Sequence, residues 1–198
     1  MASQESGISF SFGELDGPVV PPTTKSNNME NLIEANIHLL KQAERLLVEI
    51  ADSDYGASDA TLYGSSLGQH LRHWLDHYSS FLQGLSESFI DYDHRVREEE
   101  LECSTDRARK EIVQIRNRLE SAKVLNVTTT VKVKMNCGGA DHSWHESTLG
   151  WELQFLVSHT VHHFAMINGI CSHRGIQMEG GFGIAPSTLR HRQLTNID

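Results

Sequence analysis

The sequence is short of the features that mark several protein classes. Its three cysteines, Cys103, Cys137 and Cys171, stand far apart and form no CxxC. Neither a disulfide framework nor a thiolate zinc knuckle is therefore expected, and the cysteine usage fits a reducing compartment. No run approaches the ~20 apolar residues of a membrane-spanning helix. The first residues lack the basic and then apolar blocks of a secretion signal, so the expected location is cytoplasmic. Positive charge is scarce as well: 17 Lys+Arg against 26 Asp+Glu give a formal net charge of −9. Lys and Arg are scattered along the chain, whereas nucleic acid calls for a concentrated basic face. Nucleic acid is not an expected partner, and an anionic membrane surface is disfavoured for the same reason.

Several catalytic signatures are also missing. There is no GxSxG and no P-loop, and the glycines of GGFGIAP do not link a strand to a helix as a dinucleotide site requires. His145-Glu146 opens like HExxH, but Leu149 stands where the second histidine belongs. No ExxH occurs, which removes the di-iron carboxylate bundle.

Histidine, by contrast, is plentiful. Of 12 histidines in 198 residues, half lie in two short segments: His70, His73 and His77 in GQHLRHWLDHY, and His159, His162 and His163 in SHTVHHF. Neutral imidazole is the commonest protein metal ligand, and residues three or four apart share one face of a helix. Two such helices packed together can hold one ion.

The length suits a single domain with a tail. Residues 1–28 are rich in Ser, Gly, Pro and Thr without sustained periodicity and read as a flexible arm, leaving 29–198 as one helical domain. From residue 28 apolar positions recur at three- and four-residue intervals. Leu32, Ile33, Leu39, Leu40, Ala43, Leu46 and Leu47 outline a first helix, ended near DSDYG. Leu67, Leu71, Trp74, Tyr78, Phe81 and Leu82 outline a second, over about 66–85. FIDYDHRVREEELE reads as a turn-like connector, after which Ser104 caps a third helix carrying Ala108, Ile112, Ile115 and Leu119. LNVTTTVKVKM and HSWHEST, split by CGGAD, predict a small β-hairpin. Ser147 or Thr148 then caps a fourth helix that runs to Gly175, and the Gly- and Pro-rich tail beyond it is expected to be non-helical. The expected architecture is all-α, an up-down four-helix bundle with a hairpin between helices three and four.

Facing separates the histidines. At ~100° per residue, His163 falls within about 40° of Leu149 on the apolar side of helix four, with Glu152 and His159 on the same flank at about 60° and 80°. His162 points away. On helix two, His70, His77 and His73 lie about 60°, 80° and 120° from the apolar centre, so periodicity alone favours His70. A histidine of helix two joining His159 and His163 makes a three-nitrogen site with open positions, as in catalytic zinc centres. Cys171, late in the apolar helix, reads more readily as core than as a nucleophile.

The helix order, SLGQHLRHWLDHY, LGWELQFLVSHTVHHFA and the ending FGIAPSTLR together resemble the DinB-like (DinB/YfiT) family over roughly residues 29–190. The resemblance implies a metal-binding four-helix bundle whose divalent ion, zinc or nickel, is held by one His of helix two and an H-x-x-x-H pair of helix four. It names His73, His159 and His163 as metal ligands, with His70 and His77 as replacements, additions or supports. It also implies a metal-dependent enzyme of the thiol-dependent transferase type, or a related hydrolase or isomerase, using a low-molecular-weight thiol and a small-molecule substrate. The alternative is a non-enzymatic metal-binding or stress-associated bundle. In the enzyme reading Glu152 and His77 are candidate proton acceptors, while Tyr92, Asp93 and Arg95 are candidates for binding a polar substrate. Trp151, Phe155 and Met166 lie off the core stripe and are candidates for a homodimer contact or, equally, for packing on the hairpin or the N-terminal arm.

Overall fold

The computed structural model describes residues 28–58, 64–94, 96–136, 138 and 143–195. The proposed arm up to residue 27, Arg95 and Cys137 therefore lie outside the described residues. The protein is mostly helical with one small sheet.

Four long helices carry the core. Helix α1 spans Asn28–Glu49, α3 Leu67–Gly84, α5 Thr105–Ser121 and α6 Leu149–His173. Each turns its apolar stripe inward: Ile33, Leu40 and Leu47 from α1, Leu71, Trp74 and Phe81 from α3, Ile112 and Leu119 from α5, and Leu153, Leu156 and Ile167 from α6 are all buried. Helix α1 packs on α5 and α6, and α3 packs on the same two.

Capping explains where they begin. Ser66 and Gln69 form a reciprocal capping box at the start of α3, Ser104 accepts from the Arg107 amide, and Thr148 accepts from the Trp151 amide. Each such cap is worth about 1 kcal/mol. Gly175 follows α6 with a φ of 69°, a left-handed conformation that ends helices.

Shorter elements depart from the sequence expectations. DSDYG does not simply end the first helix but forms a short helix of its own, α2 (Asp52–Gly56), and α4 (Glu100–Cys103) lies within the connector. The tail forms helix α7 (Pro186–Thr195). Its glycines precede the helix rather than interrupt it, and Pro186 opens it at the first position, where a missing N–H costs nothing.

The hairpin is present. Strand β2 (Thr130–Lys134) pairs antiparallel with β3 (His145–Thr148), Thr130 opposite Thr148 and Val133 opposite His145. The connector expected to be only turn-like also contributes strand β1 (Phe89–Asp91), which joins the other edge of β2 in parallel. Three residues are too few to show alternation, and Ile90, buried at 0% exposure, holds the strand against the core.

Side-chain contacts give the helix directions. Glu44 pairs with Arg116 and Glu34 with Lys123, so α1 and α5 run oppositely. Ser79 bonds Glu111 and the Leu82 carbonyl accepts from Arg118, so α3 and α5 run the same way. Simple up-down alternation would oppose them. The connector from Leu85 to Ser104, with β1 and α4 inside it, is long enough to carry the chain back to the starting end.

Candidate metal centre

Helices α3 and α6 run antiparallel and face each other along their histidines. The tightest grouping is His73, His77 and His159, with one ligand nitrogen from each lying within 4.8 Å of the others. His163 closes the same cluster, its ring 4.7 Å from that of His159 and 4.8 Å from that of His73. His70 extends it, with Nδ1 3.3 Å from His163 Nδ1. Five of the six clustered histidines therefore meet between the helices, and the ring of His162 lies 5.2 Å from that of its neighbour His163. His162 is exposed, as its helix facing requires.

The sequence reading grouped His73, His159 and His163, with His77 as a proton acceptor or reserve ligand. In the structure His77 belongs to the closest three, and His163 stands beside them. Helical geometry accounts for this: His73 and His77 are one turn apart on α3, so both reach the α6 pair. His73 lies in the closest group, whereas His70 contacts His163.

Hydrogen bonds set the protons. His77 Nδ1 lies 2.8 Å from the His73 carbonyl oxygen, which can only accept, so Nδ1 carries the proton and Nε2 the lone pair. Ser65 Oγ meets His70 Nε2 at 2.8 Å. If His163 donates through Nδ1 to His70 and His70 donates to Ser65, Nε2 of His163 also carries a lone pair. His159 Nε2 differs from these: it is shut from solvent and has no hydrogen-bond partner. A buried polar nitrogen left unpaired costs about 1–3 kcal/mol.

Electrostatics favour the neutral form of His70, His159 and His163. Burial, reinforced by the neighbouring imidazoles, pushes His159 down to about 2 and His163 down to about 3. His70 is lowered too, first by burial and then by His162. Neutral imidazole is the form that ligates, because metal and proton compete for one lone pair. An orphaned nitrogen among neutral imidazoles therefore fits a metal ion, and an all-nitrogen donor set suits zinc or nickel better than calcium or magnesium.

A second layer supports His77. Strand β1 delivers Tyr92, whose amide bonds the Lys134 carbonyl and whose ring stacks on His77 at 5.4 Å and 27°. The Tyr92 hydroxyl donates to Glu152, which also accepts from Ser147. Glu152 is buried at 4% exposure, and its described bonds go to these two hydroxyls rather than to the histidines. Tyr92 is buried likewise and is not placed to bind substrate at the surface; its phenol is raised, by burial first and then by Glu152. Asp93 is exposed and accepts from the Asn136 amide. Phe155, expected to be available for a dimer contact, packs instead on Tyr92, His77 and His159, while Trp151 stays 65% exposed. Cys171 is buried, which pushes its thiol up to about 11, so it belongs to the core. Helical spacing does not reveal the Ser65–His70 contact, because Ser65 precedes α3.

The fold and cluster together define a mostly helical protein with a group of histidines able to hold a metal ion. No family model matches the chain, and no solved structure matches it. Over 104 residues, 52% of this chain, it is 31% identical to a Rhizopus delemar protein named FK506-binding protein 5. The matched stretch spans 27% of that relative's length.

Proposed function

We propose that the chain is a divalent-metal-binding helical bundle of the DinB-like kind, working as a metal-dependent enzyme on a small-molecule substrate. The single observation that carries this reading is the orphaned His159 Nε2 within a cluster of five imidazoles. His73, His77 and His159 would hold the ion, zinc or nickel, with His163 as the nearest further donor. The four long helices and their interlocked apolar stripes support the bundle reading.

When bound, a divalent cation lowers the pKa of a thiol or water and so provides a nucleophile near neutral pH. That chemistry supports a thiol-dependent transferase as the reaction type, with a low-molecular-weight thiol as cosubstrate. The protein's own residues prepare the site. Burial favours the unprotonated form of His159 and His163, the His73 carbonyl fixes the His77 tautomer, and the Glu152–Tyr92 pair holds the His77 ring in place.

The test is conjugation of several thiols to an electrophile panel by metal-loaded protein. The transferase reading predicts a rate above that of metal-free protein and its loss in His159→Ala. Bound metal with no rate for any thiol would instead favour the non-enzymatic bundle.

A further inference from the structure

Lysines and arginines that are scattered in sequence are gathered in one place by the fold. Helices α1 and α5 run antiparallel, and between them lies an open groove of about 340 Å³ lined by Lys41, Glu44, Arg45, Val48, Arg109 and Arg116. Four cations thus face one carboxylate in a chain whose net charge is −9. Lys41 and Arg45 are one turn apart on α1, while Arg109 and Arg116 are two turns apart on α5, so each pair shares a face.

Two of the four are already engaged: Arg116 pairs with Glu44, and Arg45 with Glu179. No salt bridge among the described residues joins Lys41 or Arg109 to a carboxylate. Arg109 Nε is also shut from solvent without an acceptor. A nitrogen closed to solvent is not offered to a ligand entering the open groove, so half-buried Arg109 acts there through its charge. The histidine cluster lies between α3 and α6, and this groove lies between the other two long helices.

We propose that the α1–α5 groove is a binding site for a small multiply charged oxyanion of the diphosphate class, gripped by Lys41 and Arg109 with Arg45 and Arg116 at its sides. Planar guanidinium groups match phosphate oxygens, and the lysine adds a point charge. The groove has more room than a single tetrahedral anion fills. Extended polyanions are disfavoured in a chain of net charge −9, whereas a compact anion can stay beside the four cations of the groove.

Isothermal titration of the full-length protein with inorganic pyrophosphate tests the proposal. Saturable one-to-one binding is expected, weakening as salt rises. Arg109→Gln and Lys41→Gln should each weaken it by ~5-fold or more. Lys110→Gln, outside the groove and paired with Asp106, should leave it unchanged. Lys41 is exposed, so its variant reports binding even if Arg109→Gln folds poorly. Absence of saturable binding overturns the proposal, as does an equal loss in Lys110→Gln, which would mark diffuse charge attraction. Tighter binding of an oligonucleotide or an acidic peptide through Arg109 would overturn the small-ligand assignment.

Discussion

At the scale of single residues, the site divides by which nitrogen each histidine presents. His159 is central, because its Nε2 is both buried and unpaired. His159→Ala is expected to abolish stoichiometric metal binding, measured by elemental analysis of untagged protein. His77→Ala should weaken binding more than His163→Ala, since His77 belongs to the closest three and His163 does not. His162→Ala should change metal content little. Tyr92→Phe removes the hydroxyl that bonds Glu152 and leaves a buried carboxylate with one partner fewer. A loss of about 1–3 kcal/mol is expected in denaturant unfolding.

The same residues set a pH dependence. His159 and His163 bind protons less readily folded than unfolded, where imidazole titrates near 6.5. As pH falls below that value the unfolded chain takes up protons that the folded cluster refuses, so stability is lost on acidification, from about 6.5 toward the folded values near 2 and 3. Metal-free protein should show a melting temperature falling between pH 7 and pH 4. In a His159→Ala/His163→Ala variant that fall should be shallower.

At the scale of elements, close packing fixes how α3 presents its histidines. A Cβ placed on Gly68 would stand 1.9 Å from the Glu102 carbonyl oxygen of α4. Gly68→Ala must therefore shift backbone two residues before His70. A destabilisation of about 1–3 kcal/mol is expected, together with reduced metal occupancy, both readable on one sample. The four long helices were legible because their apolar residues recur over three or more turns, and the caps at Ser104 and Thr148 mark two of their starts. The hairpin was legible in TVKVK, where alternation is plain. Strand β1 was not, because three residues carry no period and its order comes from pairing with β2. Helix α7 was hidden by composition: glycines counted against the whole tail although they stop at Gly183, before the helix begins.

At the scale of the whole molecule, the arrangement of helices goes beyond what periodicity supplies. Apolar spacing says which face is inward, but not whether α3 and α5 run together. That depends on the connector and on pairs such as Ser79–Glu111 and Leu82–Arg118. The histidine clusters were legible from turn spacing, and the meeting of five rings was not, because it depends on how α3 slides along α6. The basic groove was invisible for a similar reason: Lys41 and Arg109 are 68 positions apart by their numbers, and only the antiparallel packing of α1 and α5 brings them to one groove. A metal bound only by the folded state also stabilises the whole domain, by about 2.7 kcal/mol at 100-fold excess over Kd. Thermal unfolding with and without zinc should show that shift in the natural sequence and not in His159→Ala.

The most direct test of the metal centre is X-ray absorption spectroscopy of untagged, metal-loaded protein, with stoichiometry measured on the same sample. One ion per chain with a first shell of three or more imidazole nitrogens, lost in His159→Ala, is the predicted result. A first shell without imidazole, or unchanged metal content in His159→Ala, would contradict it.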